Sequence, residues 1–504
     1  MSTPFQSDTW PGPANKIDGL VFSKLQQLNI EPAKPCSDPV FVRRVYLDVT
    51  GTLPTGAEAR DFILDRTPDK RERLIERLFE RDAFADFWAM KWSDLLRIKA
   101  EFPINLWPNA AQSYHRWIRD CIRNNVPYDR FVRELLTSSG SNFEVPPVNF
   151  YRAMQNRTPL GIAQTVALTF MGERAENWPS NRLANLSVFF ANVGYKSTGE
   201  WKEEIVFFNP RATNSGSVNG SPRPAILPDG TTVTLAPEHD PRQVFAQWLL
   251  NANNPRLVRN LVNRAWSWLM GRGIIQEPDD IRPDNPPSNP ALLAFLERDF
   301  VSSGYDFKHL LRLILNSRTY QLSSLPNTTN PDGAAHFAFY PLRRLDAEVL
   351  IDAIDQLTGS SESYSSAIPE PYTFVPDNLR SIALPDGSIS SSFLEMFGRP
   401  ARDTGQESER NSRLSAAQKL WLFNSSVLQR KIEQSRMVQF QTASDHPAPE
   451  VATGMYLGIL SRFPTGEEIK GAQAYFQKQR GGRRQAIVDL AWALMNSSEF
   501  IYRH

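Results

Sequence analysis

The sequence has little of what marks an exported or membrane-bound protein. It contains two cysteines, Cys36 and Cys121, without CxxC spacing, so no disulfide framework is predicted. No apolar run approaches the roughly 20 residues that cross a bilayer, and the segment from Met1 to Pro13 lacks the apolar core of a signal peptide. These features predict a cytoplasmic protein with no transmembrane segment. A periplasmic or cell-envelope location is the alternative if a leader has been trimmed.

An excess of charge of one sign is also lacking. The 504 residues include 56 basic and 55 acidic side chains, a formal net charge of +1. Such a chain offers no overall field that would attract polyanions, so nucleic acid is not predicted as a partner. The 41% hydrophobic and 22% charged residues are typical of a globular protein. Because a single core stops growing at roughly 250–300 residues, two domains are expected.

Motifs that carry known chemistry are absent as well. The chain has no HExxH, GxSxG, GxxxxGK[ST] or strand-associated GxGxxG pattern, and its six histidines form no i,i+4 pair. No metal and no cofactor is therefore predicted. No catalytic residue can be named from a motif.

Helical periodicity dominates what is present, and one phrase occurs twice. Thr55 and Glu58 have the spacing of a capping box, in which each side chain bonds the backbone N–H of the other residue. A similar phrase, Phe463–Glu468, follows Tyr456–Arg462 much as the first follows Tyr46–Gly51. This pattern predicts a repeated helical unit.

The helical pattern stops in the middle of the chain. The segment Pro228–Leu235 has a turn followed by β-branched residues, after a stretch rich in Gly, Ser and Pro. We therefore predict a mainly α fold with two helical domains, 15–205 and 240–504. An irregular segment at 206–239 joins them and is the place for a short β-hairpin.

The densest acidic group is the proline-stiffened loop Glu277–Asn285. Asp279 and Asp280 can present oxygens to Ca²⁺ or Mg²⁺, although the loop lacks the spacing of an EF-hand. Arg282 lies between the carboxylates and can neutralise them. A network of salt bridges that braces the loop is the favoured interpretation, and a metal is the alternative.

A second charged segment is irregular and rich in arginine. Arginine forks clamp carboxylate, sulfate or phosphate, and binding sites are often built on loops. Internal pairing of these charges is the favoured interpretation, and ligand binding is the alternative. The candidate ligand-binding residues in this segment are Arg399, Arg402, Glu409 and Arg410.

A third candidate group lies on one predicted helix and consists of Asn263, Arg264 and Trp266. Together with Trp268, Trp266 can stack on sugar rings. Tryptophans on a helix of this kind are more often buried in a core, which is the favoured interpretation.

Several phrases together resemble a known family. The phrases are Phe41–Gly51, Trp88–Leu95, Val126–Leu135, Asn260–Trp266, Gly271–Gly273, Gly304–Leu310 and Leu315–Ser323. In this order they resemble the two-domain family of unknown function that accompanies planctomycete-type cytochrome c modules. The resemblance covers nearly the whole chain.

The chain departs from that family at two places that carry thiols. After Leu168–Gly172, family members typically have a CxxCH-like haem-attachment motif, whereas this chain has Glu173–Trp178. After Phe397–Arg402 the family has a CxCER run, and Gln406 and Ser408 stand here in place of its cysteines. We therefore expect neither haem nor an electron-transfer role.

Two functional hypotheses follow. The first is a non-redox scaffold or binding protein that recognises an anionic or polyhydroxylated, glycan-related ligand or a partner protein. The alternative is a hydrolase, metal-free or assisted by a divalent metal, that acts on a glycan or its ester with Asp279, Asp280 or Glu409 as acid or base. The resemblance implies a carbohydrate-related setting, since such proteins are neighbours of exported sulfatase-like proteins. Whether the chain is an enzyme stays open.

Overall fold

A computed structural model gives the fold and describes residues 3–8, 10, 12–212 and 222–504. The described part contains 23 α-helices and only short strands, so the predicted mainly α fold is confirmed. Residues 213–221 of the predicted irregular segment lie outside the described residues.

Ten α-helices form the first part of the chain. They are α1 Lys16–Gln27, α2 Asp38–Val49, α3 Gly56–Leu64, α4 Lys70–Phe79, α5 Asp82–Leu95, α6 Pro108–Arg123, α7 Tyr128–Thr137, α8 Asn149–Arg152, α9 Pro159–Val166 and α10 Ser180–Ser187. A wider π-helical turn, Ala167–Met171, continues α9.

Thirteen α-helices follow in the second part. They are α11 Pro241–Leu249, α12 Pro255–Met270, α13 Pro290–Ser302, α14 Phe307–Leu315, α15 Ala347–Thr358, α16 Ser392–Met396, α17 Ala416–Asn424, α18 Ser426–Glu433, α19 Arg436–Ala443, α20 Ala448–Leu460, α21 Gly466–Lys478, α22 Gly482–Met495 and α23 Ser498–Ile501. Short 3₁₀ turns lie at Pro146–Val148, Ala175–Asn177, Val188–Phe190, Pro331–Gly333, Ser381–Ala383 and Glu407–Glu409. The segment from 359 to 415 is otherwise mostly irregular, and we call it the long excursion.

The strands form three small antiparallel sheets. They are β1 Gly140–Ser141, β2 Val193–Ser197, β3 Glu204–Phe208, β4 Arg223–Ile226, β5 Thr232–Leu235, β6 Arg343–Arg344 and β7 Tyr502–Arg503. The strand order is β1-β3-β2 in the first sheet, β4 pairs with β5, and β6 pairs with β7. Since the predicted boundary after residue 205 cuts β3, we propose to end the N-terminal domain after Phe208.

The two halves of the chain share one apolar core. Buried side chains from Ile17 through Ile501 belong to a single cluster. At its centre the Trp88 ring lies 5.6 Å from Trp268 and 5.2 Å from Phe307, measured between centroids. Both Trp88 and Trp268 are buried, so packing across the halves positions α5 against α12.

The repeated phrase forms the same local structure twice. Thr55 and Glu58 form the predicted capping box of α3, and Thr465 and Glu468 form that of α21. The two units pack directly on each other, because α20 lies against both α3 and α21. At the contact, a Cβ added to Gly56 would lie 3.4 Å from the backbone nitrogen of Gly458.

Within the described ranges, no helix has both the length and the apolar composition required to cross a membrane.

We expect Glu468→Ala to lower the free energy of unfolding by about 1–2 kcal/mol, because the capping box of α21 is lost. The Glu468 carboxylate accepts from the Thr465 N–H at 2.7 Å and from both Arg462 Nη atoms at 2.7 and 2.8 Å. The Arg462 bonds lower the pKa of Glu468 to about 2. The contribution of Glu468 to the free energy of unfolding is therefore present above pH 4.5 and is lost as the pH falls toward 2.

Urea denaturation at pH 7 and at pH 3 measures this effect. The matched control is Glu467→Ala, an exposed glutamate in the same first turn. An equal loss in both variants would contradict a specific role for the Glu468 cap.

Candidate functional site

The arginine-rich segment enters the protein interior. Arg402 is fully buried, and its Nε donates to Asp94 Oδ1 at 2.9 Å. Arg399 donates to the carbonyl oxygens of Ile389 and Asp386, and burial lowers its pKa to about 10. Both guanidinium groups thus brace the long excursion against its surroundings.

Arg410 is the member of this segment that reaches a cavity. Its guanidinium donates to Asp94 Oδ2 at 2.6 Å and to Glu348 Oε2 at 2.7 Å. Burial alone would lower the pKa of Arg410, but Asp94, Glu348 and Asp346 outweigh it and hold this pKa well above its usual value. The side chain therefore carries a permanent positive charge.

Glu409 closes a loop of its own. Its carboxylate accepts from the Asp403 N–H at 3.0 Å and from the N–H and hydroxyl of Thr404 at 3.4 and 3.2 Å. These bonds fix the backbone between Asp403 and Arg410. The carboxylate is thereby used to shape the loop.

The acidic loop splits into a buried part and an exposed part. Asp279 is buried, and its Oδ1 accepts from Arg264 Nη2 at 2.5 Å. Asp280 instead pairs with Arg282 at 3.0 Å, and Arg282 also pairs with the exposed Asp284 at 2.7 Å. These contacts form the salt-bridge network that the sequence favoured. Among the described residues, no group of three or more His, Cys, Asp or Glu is arranged to hold a metal ion.

Arg264 and Asp279 join three distant segments. Arg264 also donates to the carbonyl oxygens of Leu168 and Thr169, both at 3.0 Å. The second Asp279 oxygen accepts from the Glu407 N–H at 2.6 Å. The pair therefore connects the end of α9, the acidic loop and the long excursion.

The remaining candidates on α12 are internal. Asn263 exchanges two hydrogen bonds with the backbone of Ile275, at 2.8 and 2.9 Å. Trp266 is fully buried with its ring 5.0 Å from that of Phe337. This position agrees with the favoured interpretation that Trp266 belongs to the core.

A polar cavity lies between the two halves, and we call it the central cavity. Its volume is about 240 Å³. It is lined by Lys91, Ser267, Trp268, Gly271, Gln276, Glu277, Pro278, Arg343, Arg344, Asp346, Glu407, Ser408, Arg410, Ser412 and Arg503. Five of these side chains are basic and three are acidic, so the lining has an excess of positive charge.

Asp346 is the anion that organises the wall of the cavity. Its Oδ2 lies 3.0 Å from Lys91 Nζ and 3.0 Å from Arg503 Nη2. Burial raises the pKa of Asp346, but Lys91, Arg410 and Arg503 more than compensate and hold it well below its usual value. Asp346 is therefore ionised and saturated by cations.

Glu407 differs from the other carboxylates of the cavity. One oxygen accepts from the indole N–H of Trp268 at 3.0 Å, and no cation of the described chain lies within salt-bridge distance. Burial raises the pKa of Glu407, and the charge of Asp279 raises it further, against the opposing influence of Lys91. Glu407 is thus more easily protonated than Asp346.

Sequence reasoning found Arg410 but missed most of this cavity. Lys91 lies on an otherwise apolar stretch of α5, and that isolated charge was the available signal. Arg503 gave no local signal, because its partners Asp48 and Asp346 lie far away in sequence. Glu407 lies in the arginine-rich segment, where nothing in the sequence distinguishes it from the neighbouring acidic residues.

We expect Asp279→Asn to lower the free energy of unfolding by about 3–5 kcal/mol, because it leaves the buried Arg264 charge uncompensated. Asp284→Asn is the matched control, since its side chain is 73% exposed and pairs with Arg282 at the surface. Its expected effect is below about 0.5 kcal/mol. Chemical denaturation of both variants measures the difference, and similar small losses would contradict the bracing role of Asp279.

Comparisons with known proteins agree with the two-part organisation. Residues 16–182 match the model of PSCyt2, a protein of unknown function (DUF1549), and residues 241–476 match that of PSD1, a protein of unknown function (DUF1553). No curated protein and no solved structure matches the chain. The order and extent of the two matched segments confirm the resemblance found in the sequence. The chain belongs to the two-domain family of unknown function known from planctomycete cytochrome c-associated proteins.

Proposed function

We propose that the protein binds a small anionic ligand, such as a sugar bearing a sulfate or carboxylate group, in the central cavity. The observation that carries this proposal is the set of arginines on the cavity wall. Arg343, Arg344 and Arg503 line the cavity together with Arg410 and Lys91. An anion in the cavity would be stabilised by the positive charge of these side chains.

The charge balance of the wall supports the same ligand class. Asp346 is saturated by cations, whereas Arg344 donates only to the carbonyl oxygens of Leu345, Phe397 and Asn411. Arg344 has no carboxylate partner within the described chain. A negative group in the cavity would therefore meet positive charge that the protein does not itself neutralise.

The size and the polar lining of the cavity limit the ligand. Its volume of about 240 Å³ equals roughly eight water molecules at about 30 Å³ each. That is below the range of about 300–1,000 Å³ usual for drug-sized ligands. The hydroxyls of Ser267, Ser408 and Ser412 and the amide of Gln276 also line it. These groups suit a polyhydroxylated ligand of monosaccharide size.

A second candidate function is hydrolysis of a glycan or its ester, and one observation favours it. Glu407 combines a raised pKa with a position on the cavity wall, as a general acid requires. Asp279 and Glu409 are instead held by hydrogen bonds that shape the protein. If hydrolysis occurs, Glu407→Gln would abolish turnover of sulfated and neutral glycan substrates while the cavity still binds the ligand.

The binding proposal predicts that Lys91→Met weakens the affinity for an anion about tenfold, because one wall charge is lost. Asp346 keeps Arg503 and Arg410 as partners in this variant. Titration calorimetry with sulfate, phosphate and glucuronate measures the affinities. The matched control is Lys99→Met, because Lys99 pairs with Asp403 at 2.7 Å outside the cavity lining. Equal affinities of both variants and the parent protein would contradict the proposal.

The same proposal predicts tighter anion binding at lower pH. Protonation of Glu407 removes a negative charge and creates a donor, and its raised pKa places this change above the ordinary value of 4.5. Glu407→Gln imitates the protonated form, so it should bind the anion more tightly at pH 8 and lose most of the pH dependence. Calorimetry with sulfate between pH 5 and pH 8 measures both, and an unchanged pH profile would refute this role of Glu407.

A further inference from the structure

We propose that an exposed group of aromatic side chains is a platform for the sugar rings of an acidic polysaccharide. The group, which we call the aromatic patch, consists of Phe102, Trp107, Trp201 and Tyr372 together with Lys202. Three segments supply it: the loop between α5 and α6, the turn between β2 and β3, and the long excursion. None of these residues lines the central cavity, so this proposal is independent of the function proposed above.

The half-buried Trp107 ring contacts those of Trp201 and Tyr372, and the exposed Phe102 belongs to the same loop as Trp107. The Trp107 ring lies 6.4 Å from Trp201, nearly perpendicular to it, and 5.3 Å from Tyr372. Trp201 is 66% exposed, Phe102 80% and Tyr372 48%. Single exposed apolar residues are ordinary, but adjoining exposed aromatic rings from three segments mark an interaction surface.

The backbone under the patch is held in an unusual conformation. Asn105, Trp107 and Lys202 have φ values of 61°, 73° and 62°, which residues other than glycine rarely adopt. Backbone bonds hold the loop in place, since the N–H groups of Leu106 and Trp107 donate to Lys99 and Ala100 at 3.2 Å. A bulky residue kept at positive φ and presented at the surface is a feature found at binding sites.

Lys202 indicates the charge of the occupant. Its ammonium lies 5.1 Å from the Trp107 ring centroid and 5.2 Å from that of Trp201. Among the described residues it has no salt-bridge partner. A negative substituent on a bound ring would therefore find an available cation beside the aromatic faces.

A sugar fits these features better than other occupants do. The electron-rich faces of the indoles attract the weakly positive C–H groups of a pyranose ring, and Lys202 pairs with its acidic group. Protein interfaces are depleted of lysine at their centre, which disfavours a second copy of the chain. A single-stranded nucleic acid needs a basic groove along its backbone, and the patch offers one lysine next to the exposed Glu200.

Affinity electrophoresis with dextran, carboxymethyl dextran and dextran sulfate tests the proposal, because the three polymers differ in their charged group alone. We expect the protein to bind the charged polymers, and the comparison of the two charged polymers identifies carboxylate or sulfate as the preferred group. Trp201→Ala should weaken this binding at least tenfold. Lys202→Gln should weaken binding of the charged polymers and leave that of dextran unchanged.

Phe440→Ala is the matched control, since Phe440 is an aromatic residue of 65% exposure outside the patch. It should bind like the parent protein. Thermal melting confirms that each variant is folded. Failure of the parent protein to bind any of the polymers, or full binding by Trp201→Ala, would overturn the proposal. Sedimentation tests self-association through the patch. A dimer of the parent protein that is lost in the Trp201→Ala variant would overturn the polysaccharide proposal in favour of self-association.

Discussion

The structure depends on a buried ionic network that joins helix α5 to helix α15 and the long excursion. Asp94 of α5 pairs with Arg402 at 2.9 Å and with Arg410 at 2.6 Å, and Lys91 of the same helix pairs with Asp346. Buried charges are tolerated when their partners are placed accurately, because each ion has given up its hydration. The network therefore joins the two halves by charged contacts, in addition to the apolar contacts between Trp88 and its neighbours.

The central cavity lies beside this network, and the positive charge of the cavity wall follows from the pairing in the network. The carboxylates of the network each pair with more than one cation. Asp48, for example, lies 3.1 Å from Arg503 and 3.7 Å from Arg343. Basic groups consequently outnumber acidic ones at the wall. The loop with Asp279 also contacts residues beside both segments that were predicted to depart from the family: its Ile281 N–H donates to Gly172 at 2.9 Å, and Asp279 accepts from the Glu407 N–H. Both segments thus lie beside one loop.

Much of the fold could be predicted from the sequence, whereas little of the site could. The α3 capping box and the mainly α class depend on residues within a few positions of one another, so local patterns are sufficient. Arg402 and Asp279 were selected as ligand-binding candidates for their charge, but these charges are paired internally with Asp94 and Arg264. No sequence spacing reveals that Asp94 and Arg402, 308 positions apart, lie within hydrogen-bond distance. Pairing at such separations is a property of the assembled fold.

Helix α5 and the chain that follows it connect the central cavity to the aromatic patch. The helix carries Lys91 at the cavity, and the loop after it ends at Trp107 in the patch. The long excursion runs along the same stretch, since Ala100 N–H donates to Asp386 at 2.9 Å and Gly387 N–H donates to Ile98 at 2.9 Å. A ligand at either place would therefore contact the same two segments. Because buried ion pairs join α5 to the long excursion, we expect ligand binding at either place to leave the relative position of the two halves unchanged.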